Sequence, residues 1–143
     1  MPYEMSMKQL VNTVPLVELD PSGETTATVR QATTGDMIAI GNTFGEQTQI
    51  FDDGDETIKI KKKWNPDELK RYRCWRCLIG CNIVNKETGE PWFTFSEGTN
   101  GSQPGVQAIF FKAWDGSVPA VTEALHNAVL TVNPQWNYAA QGE

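Results

Sequence analysis

One histidine and three cysteines are all that this 143-residue chain holds of the side chains most used in metal, redox and thiol chemistry. No G-x-S-x-G, H-E-x-x-H or Walker pattern accompanies them. An odd cysteine count argues against a disulfide scaffold and for free thiols in a reducing compartment. The first ten residues, Met1 to Leu10, contain no apolar h-region, so no secretory signal is expected there. No run approaches the ~20 consecutive apolar residues of a membrane-spanning helix. Apolar residues at 39% and charged residues at 21% exclude bulk disorder. The length suits one domain, able to bury about two thirds of the surface of its unfolded chain.

The charge is uneven. Twelve cations stand against eighteen acids, a formal net charge of −6. Eight of the cations (Lys59, Lys61, Lys62, Lys63, Lys70, Arg71, Arg73 and Arg76) fall in one window with only Asp67 and Glu68, which gives it +6 and leaves −12 elsewhere. The plain reading is the solvated face of a strand and a helix; the sharper one is a patch for an acidic partner. Trp64, Tyr72 and Trp75 interleave with these cations, as in single-strand nucleic-acid binders. No RNP or zinc-finger pattern supports that use, and the pI of about 4.8 is acidic.

Turn and cap signals organise the chain. Residues 1–13 read as a flexible N-terminal segment. Val14 to Leu19 reads as a strand, Asp20-Pro21-Ser22-Gly23 as a type I turn, and Thr25 to Arg30 as the returning strand. Thr33 can cap a short helix from Gly35 to Phe44, with Asp36 in the place of the usual Glu. Gln47 to Phe51 and Glu56 to Lys62 flank an Asp-Gly turn and predict a second hairpin. Asn65-Pro66-Asp67-Glu68 is the clearest helix start, with an N-cap, a proline at N1 and acids in the first turn. That helix is expected to reach about Cys81, which would stack Cys74, Cys77 and Cys81 along one face. Small buried cysteines are then the simpler reading, since three thiolates in a column do not wrap a tetrahedral ion; a zinc site with His126 is the alternative.

Asn85 to Pro91 is a polar turn, Trp92 to Phe95 an extended aromatic segment, and Ser96 to Gly105 a loop. Val106, Ile109, Phe110, Ala113 and Trp114 have helical spacing. Ser117 is expected to cap a last helix with Pro119 in its first turn, and Val118, Val121, Leu125, Ala128, Val129 and Val132 on its inner face. Asn133-Pro134 stops it, and 135–143 form a polar tail. The domain proper is therefore 14–134. Its fold class is α+β: two β-hairpins packed on three to four helices, with a helical C-terminal half.

The carboxylate pairs Asp52/Asp53 and Glu87/Glu90 lie in turns, and His126 falls mid-helix beside the packing face, where a structural histidine is expected. No active site emerges, and no cofactor or metal is expected. Five tryptophans exceed ordinary usage, and one or two of them would serve as interface anchors.

Two stretches resemble a known family. The run AIFFKAWDGSVPAVTEALHNAVLTVNPQW, Ala108 to Trp136, is similar to the end of the tail assembly chaperones of long-tailed, siphovirus-like bacteriophages. Phe110, Ala113, Trp114, Pro119, Val121, His126, Val129, Asn133, Pro134 and Trp136 occupy the matching places. VELDPSGETTATVRQATTGD, Val17 to Asp36, resembles their opening hairpin, where a strand ending in R.AT.GD leads into the first helix. Phe44 to Lys63 matches less well.

The resemblance implies a non-enzymatic protein of the host cytoplasm, absent from the finished virion. It would bind the tape measure protein, coat its hydrophobic helices and help recruit tail tube subunits. It also implies that a longer, frameshifted form can exist, with its junction near Gln135. Partner-binding residues expected on this reading are Trp75, Trp114, Leu125, Val129 and Trp136, whose helical face would hold an amphipathic helix. The alternatives are a structural tail or head–tail protein retained in the particle, or a small metal- or nucleic-acid-binding module built on Cys74, Cys77, Cys81, His126 and the basic stretch.

Overall fold

The computed structural model describes residues 2–4, 11–44, 65–95 and 105–136 in full, and the backbone of 47–50, 57–60 and 104. The elements run β1 (Val11–Pro15), β2 (Thr26–Arg30), α1 (Thr34–Phe44), β3 (Gln47–Ile50), β4 (Thr57–Ile60), α2 (Pro66–Cys77), β5 (Leu78–Cys81), α3 (Pro104–Asp115) and α4 (Pro119–Val132), then a 3-10 turn, Pro134–Trp136. The class is α+β: a three-stranded antiparallel sheet in the order β1-β2-β5 and four helices, with the C-terminal half largely helical. β3 and β4 pair as a separate antiparallel ladder, Gln47 opposite Ile60 and Ile50 opposite Thr57, where the second hairpin was expected. Its turn, 51–56, lies outside the described residues.

The opening strand lies earlier than its apolar alternation predicts. β1 starts at Val11, inside the segment read as flexible, and ends at Pro15. Leu16, fully buried, takes the last ladder bond, its N–H donating to Thr25 O at 2.8 Å. The chain then turns, because Leu19 and Asp20 N–H both donate back to Leu16 O. The expected turn at Asp20 forms, with Gly23 N–H on Asp20 O at 2.9 Å and Gly23 at φ 76, a left-handed conformation that suits glycine. The Asp20 carboxylate locks it by accepting from Ser22 and Thr25.

The third strand is the largest departure. Asn65 caps α2 as expected, accepting from Asp67 N–H at 2.8 Å. The helix, however, stops at Cys77, and Leu78 to Cys81 continue as β5, antiparallel to β2 with a bulge at Thr28/Val29. Leu78 is extended (φ −75, ψ 130) and fully buried. A Leu-Ile-Gly-Cys run suits either state locally, and the free edge of β2 selects the strand. Cys74 and Cys77 are therefore on a helix and Cys81 on a strand, so the three-cysteine helix face does not exist.

α4 lies over β1 and β2 and packs on α2, while α2 also contacts α1 and α3. Its buried face is Ala124, Leu125, Ala128, Val129 and Val132. Val118, expected on that face, is exposed and forms the N-cap without a side-chain hydrogen bond. Ser117, the expected cap, is engaged elsewhere: its hydroxyl donates to Ala113 O at 2.8 Å and accepts from Trp92 Nε1 at 2.9 Å. Phe110 sits among Trp75, Phe93 and Trp114 at ring-centroid separations of 5.5, 5.5 and 6.0 Å. Such pairs add about 0.5–1.5 kcal/mol each beyond their buried area.

A buried ion cluster joins three elements. Asp36 is the third residue of α1 and completes the expected box with Thr33, each backbone N–H donating to the other's side chain. The same carboxylate takes two hydrogen bonds from Arg30 of β2, at 2.7 and 2.9 Å, and one from Arg76 Nε of α2, at 2.7 Å. Asp36 is fully buried and Arg30 2% exposed. Burial raises the carboxyl's pKa, but the bonds from Arg30, Thr33 and Arg76 outweigh it and hold the group below the usual carboxylate range. Asp36→Asn removes the buried carboxylate charge that Arg30 and Arg76 share and is expected to cost about 3–5 kcal/mol. Arg76→Met keeps the Arg30–Asp36 fork and is expected to cost about 1–2 kcal/mol. Urea unfolding of both variants checks this; equal losses would contradict it.

Candidate functional site

All five residues expected to bind a partner lie in the core. Trp75 is 1% exposed, Trp114 7%, Trp136 5%, and Leu125 and Val129 are fully buried. Side chains so covered offer no docking area in this fold. Trp136 in particular is not part of a polar tail. The 3-10 turn that starts at Pro134 folds it back under the guanidinium of Arg73, whose carbon lies 5.0 Å from the ring centroid. Tyr138 lies outside the described residues.

Among the described residues of the basic window, the three arginines of α2 are each engaged within the fold. Arg76 is spent on Asp36, and Arg73 is only 8% exposed. Arg71 lies 4.1 Å from the Phe111 ring centroid and reaches both oxygens of Asp115 at 2.9 Å. The arginines of α2 are thus internal ties between helices. The side chains of Lys59, Lys61, Lys62, Lys63 and Trp64 lie outside the described residues.

Burial sets the protonation states of the cysteines and the histidine. Burial pushes the Cys77 thiol up to about 12, raises Cys74 well above its ordinary value and raises Cys81 as well. No group of three or more His, Cys, Asp or Glu among the described residues is placed to hold a metal. His126 is 6% exposed, and its Nε2 has no hydrogen-bond partner among the described residues. Burial, then the positive charges of Arg73 and Lys70, push its pKa down to about 4. It stays neutral at pH 7.

One surface feature was missed by the sequence reading. An open groove of about 520 Å³ runs between the 85–91 turn and α3. The turn is closed by its own hydrogen bonds: Asn85 N–H donates to Glu90 O and Gly89 N–H to Asn85 O, both at 2.7 Å, and Gly89 sits at φ 74. Trp92 forms the floor, its indole N–H shared between Ser117 Oγ and Ala113 O. Ile109, Lys112, Ala113 and Gly116 supply the other side. Ile109, Lys112 and Ala113 are one stripe of α3 at i, i+3 and i+4, and Gly116 follows the helix end. The helical spacing that counted Ile109 with Phe110 and Trp114 hid the stripe, because Ile109 is 55% exposed while its neighbours are buried.

Among the described residues no helix is long and apolar enough to cross a membrane. No family model, curated protein or solved structure matches the chain.

The His126 environment sets a pH dependence. Its folded pKa, about 4, lies below its ordinary 6.5, so below pH 6.5 the unfolded chain binds a proton that the folded one refuses. Stability is therefore full at neutral pH and falls as the pH drops from 6.5 towards 4, by up to ~1.4 kcal/mol per pH unit. Further acid protonates Asp36 and removes the ion cluster, starting below its ordinary 3.8. Urea unfolding between pH 7.5 and 4.5 is expected to show the first loss, with the slope abolished in His126→Leu. A flat wild-type profile would contradict it.

Proposed function

We propose that this chain is a non-enzymatic tail assembly chaperone of a long-tailed bacteriophage. It binds the tape measure protein in the host cytoplasm, shields its hydrophobic helices and helps recruit tail tube subunits. The observation that carries this reading is the meeting of the two stretches on which the resemblance rests. Asn133 of the VNP.W segment accepts from Ala32 N–H at 2.8 Å and donates to Arg30 O at 3.3 Å, inside the R.AT.GD segment. Arg30 and Asp36 of that segment are the buried fork. Motifs a hundred positions apart thus close one joint, which supports a shared fold over a chance likeness of short words. The buried, protonated thiols further favour a binding role over thiol catalysis.

Co-expression with the tape measure protein encoded alongside it is the test, read by size exclusion with mass determination. A soluble complex carrying several copies of this chain is expected. A tape measure protein that precipitates regardless, with this chain eluting alone, would sink the reading. Detection of the chain in purified virions would favour a structural tail protein instead.

A further inference from the structure

We propose that the seam between α2, α4 and the 3-10 turn is an acid-released latch: proton uptake by His126 drives Arg73 off the Trp136 ring and frees the C-terminal turn from the body of the fold. Three observations meet at Arg73. Its guanidinium carbon lies 5.0 Å from the centroid of the Trp136 ring, and both residues are buried. Its charge, with that of Lys70 one turn earlier on α2, acts on the His126 imidazole. His126 is itself buried, and its Nε2 has no hydrogen-bond partner among the described residues. A buried polar atom in that state gains from any opening that admits water. The seam is therefore closed over an unmet group.

The charges that a protonated imidazole meets there are all of one sign. α2, β1, β2 and the 3-10 turn pack on α4. α2 presents Arg73 and Lys70, its thiols Cys74 and Cys77 stay uncharged, and its acids Asp67 and Glu68 are exposed in the first turn. β1 and the turn hold no ionisable side chain, and Arg30 of β2 is forked onto Asp36. On α4 itself Glu123 is exposed and is not among the groups that act on the imidazole. Protonated His126 thus becomes a third cation in a water-poor seam. α2 is held by Arg76 on Asp36 and by Arg71 on Asp115. α4 is anchored through Asn133 to Arg30 and Ala32. The turn is only three residues long, and short elements near a chain end open at the lowest cost. Arg73 retreats to water, Trp136 loses its cover, and the turn leaves.

Native-state hydrogen exchange of the whole chain reads the latch. Trp136 N–H is bonded to Asn133 O at 3.1 Å and is protected while the turn is closed. An imidazole freed to its ordinary 6.5 takes up a proton that the closed seam, at about 4, refuses, so opening is favoured as the pH falls below 6.5. The protection of Trp136 N–H, corrected for intrinsic rate, is expected to fall about thirtyfold between pH 7.5 and 5. The Val129 amide, inside α4, is expected to stay better protected than Trp136 throughout, because the opening is local. His126→Leu should abolish the pH dependence. Lys70→Glu, at a half-buried position, sets an acid before the imidazole and should reduce it. In that variant the ring resonance of the chain's one histidine should titrate at higher pH than in the wild type. Trp136 protection that ignores pH would overturn the latch. Equal protection of Trp136 and Val129 would also overturn it, since only the whole fold would then open. A fall that persists in His126→Leu would give the trigger to another group and overturn it as well.

Discussion

A single buried carboxylate holds the molecule in register. Asp36 receives Arg30 from β2, Arg76 from α2 and Thr33 from the start of its own helix. Such a group is costly to desolvate and is tolerated only when its donors are all in place. Its geometry therefore fixes where α1 leaves the sheet and how α2 lies beside it. Arg30 O and Ala32 N–H reach in turn to Asn133, so the end of α4 is tied to the same stretch. Once α2 is set, Trp75 meets Phe110 and α3 has its place. The groove at Trp92 exists because α3 is held there.

What was legible in the sequence was local. Asn65 before Pro66, Thr33 three residues before Asp36, the Asp20 turn and the Asn133-Pro134 stop each satisfy backbone groups within a few positions. Those signals hold whatever the rest of the chain does. What was not legible depended on distant partners. Leu78 to Cys81 leave the helix because β2 offers an open edge about fifty residues away in the chain. Ser117 does not cap α4 because Trp92 claims its hydroxyl. Val14 to Leu19 alternate like a strand, yet the ladder ends where Leu16 enters the core. The Arg30–Asp36–Arg76 cluster was invisible for the same reason, since its members read as an ordinary strand end, a cap and part of a basic run.

The tryptophans and arginines share one lesson. Both are amphipathic, and their type does not say which end faces water. Trp75, Trp114 and Trp136 close the core, while Trp92, half-buried, lines a groove. Arg71, Arg73 and Arg76 lie over Phe111, Trp136 and Asp36 and do not form a charged field. A window of +6 in the sequence thus becomes, along α2, a set of internal contacts between helices.

The residues that carry the family resemblance are largely those that close the fold. Arg30, Asp36, Phe110, Trp114, Asn133 and Trp136 are each buried against another element. A likeness resting on them speaks first about architecture, and the function must be carried by what remains outside. There the Trp92 groove has two sides of different standing. Ile109, Lys112 and Ala113 fall within the similar stretch, whereas Glu90, Pro91 and Trp92 fall outside both.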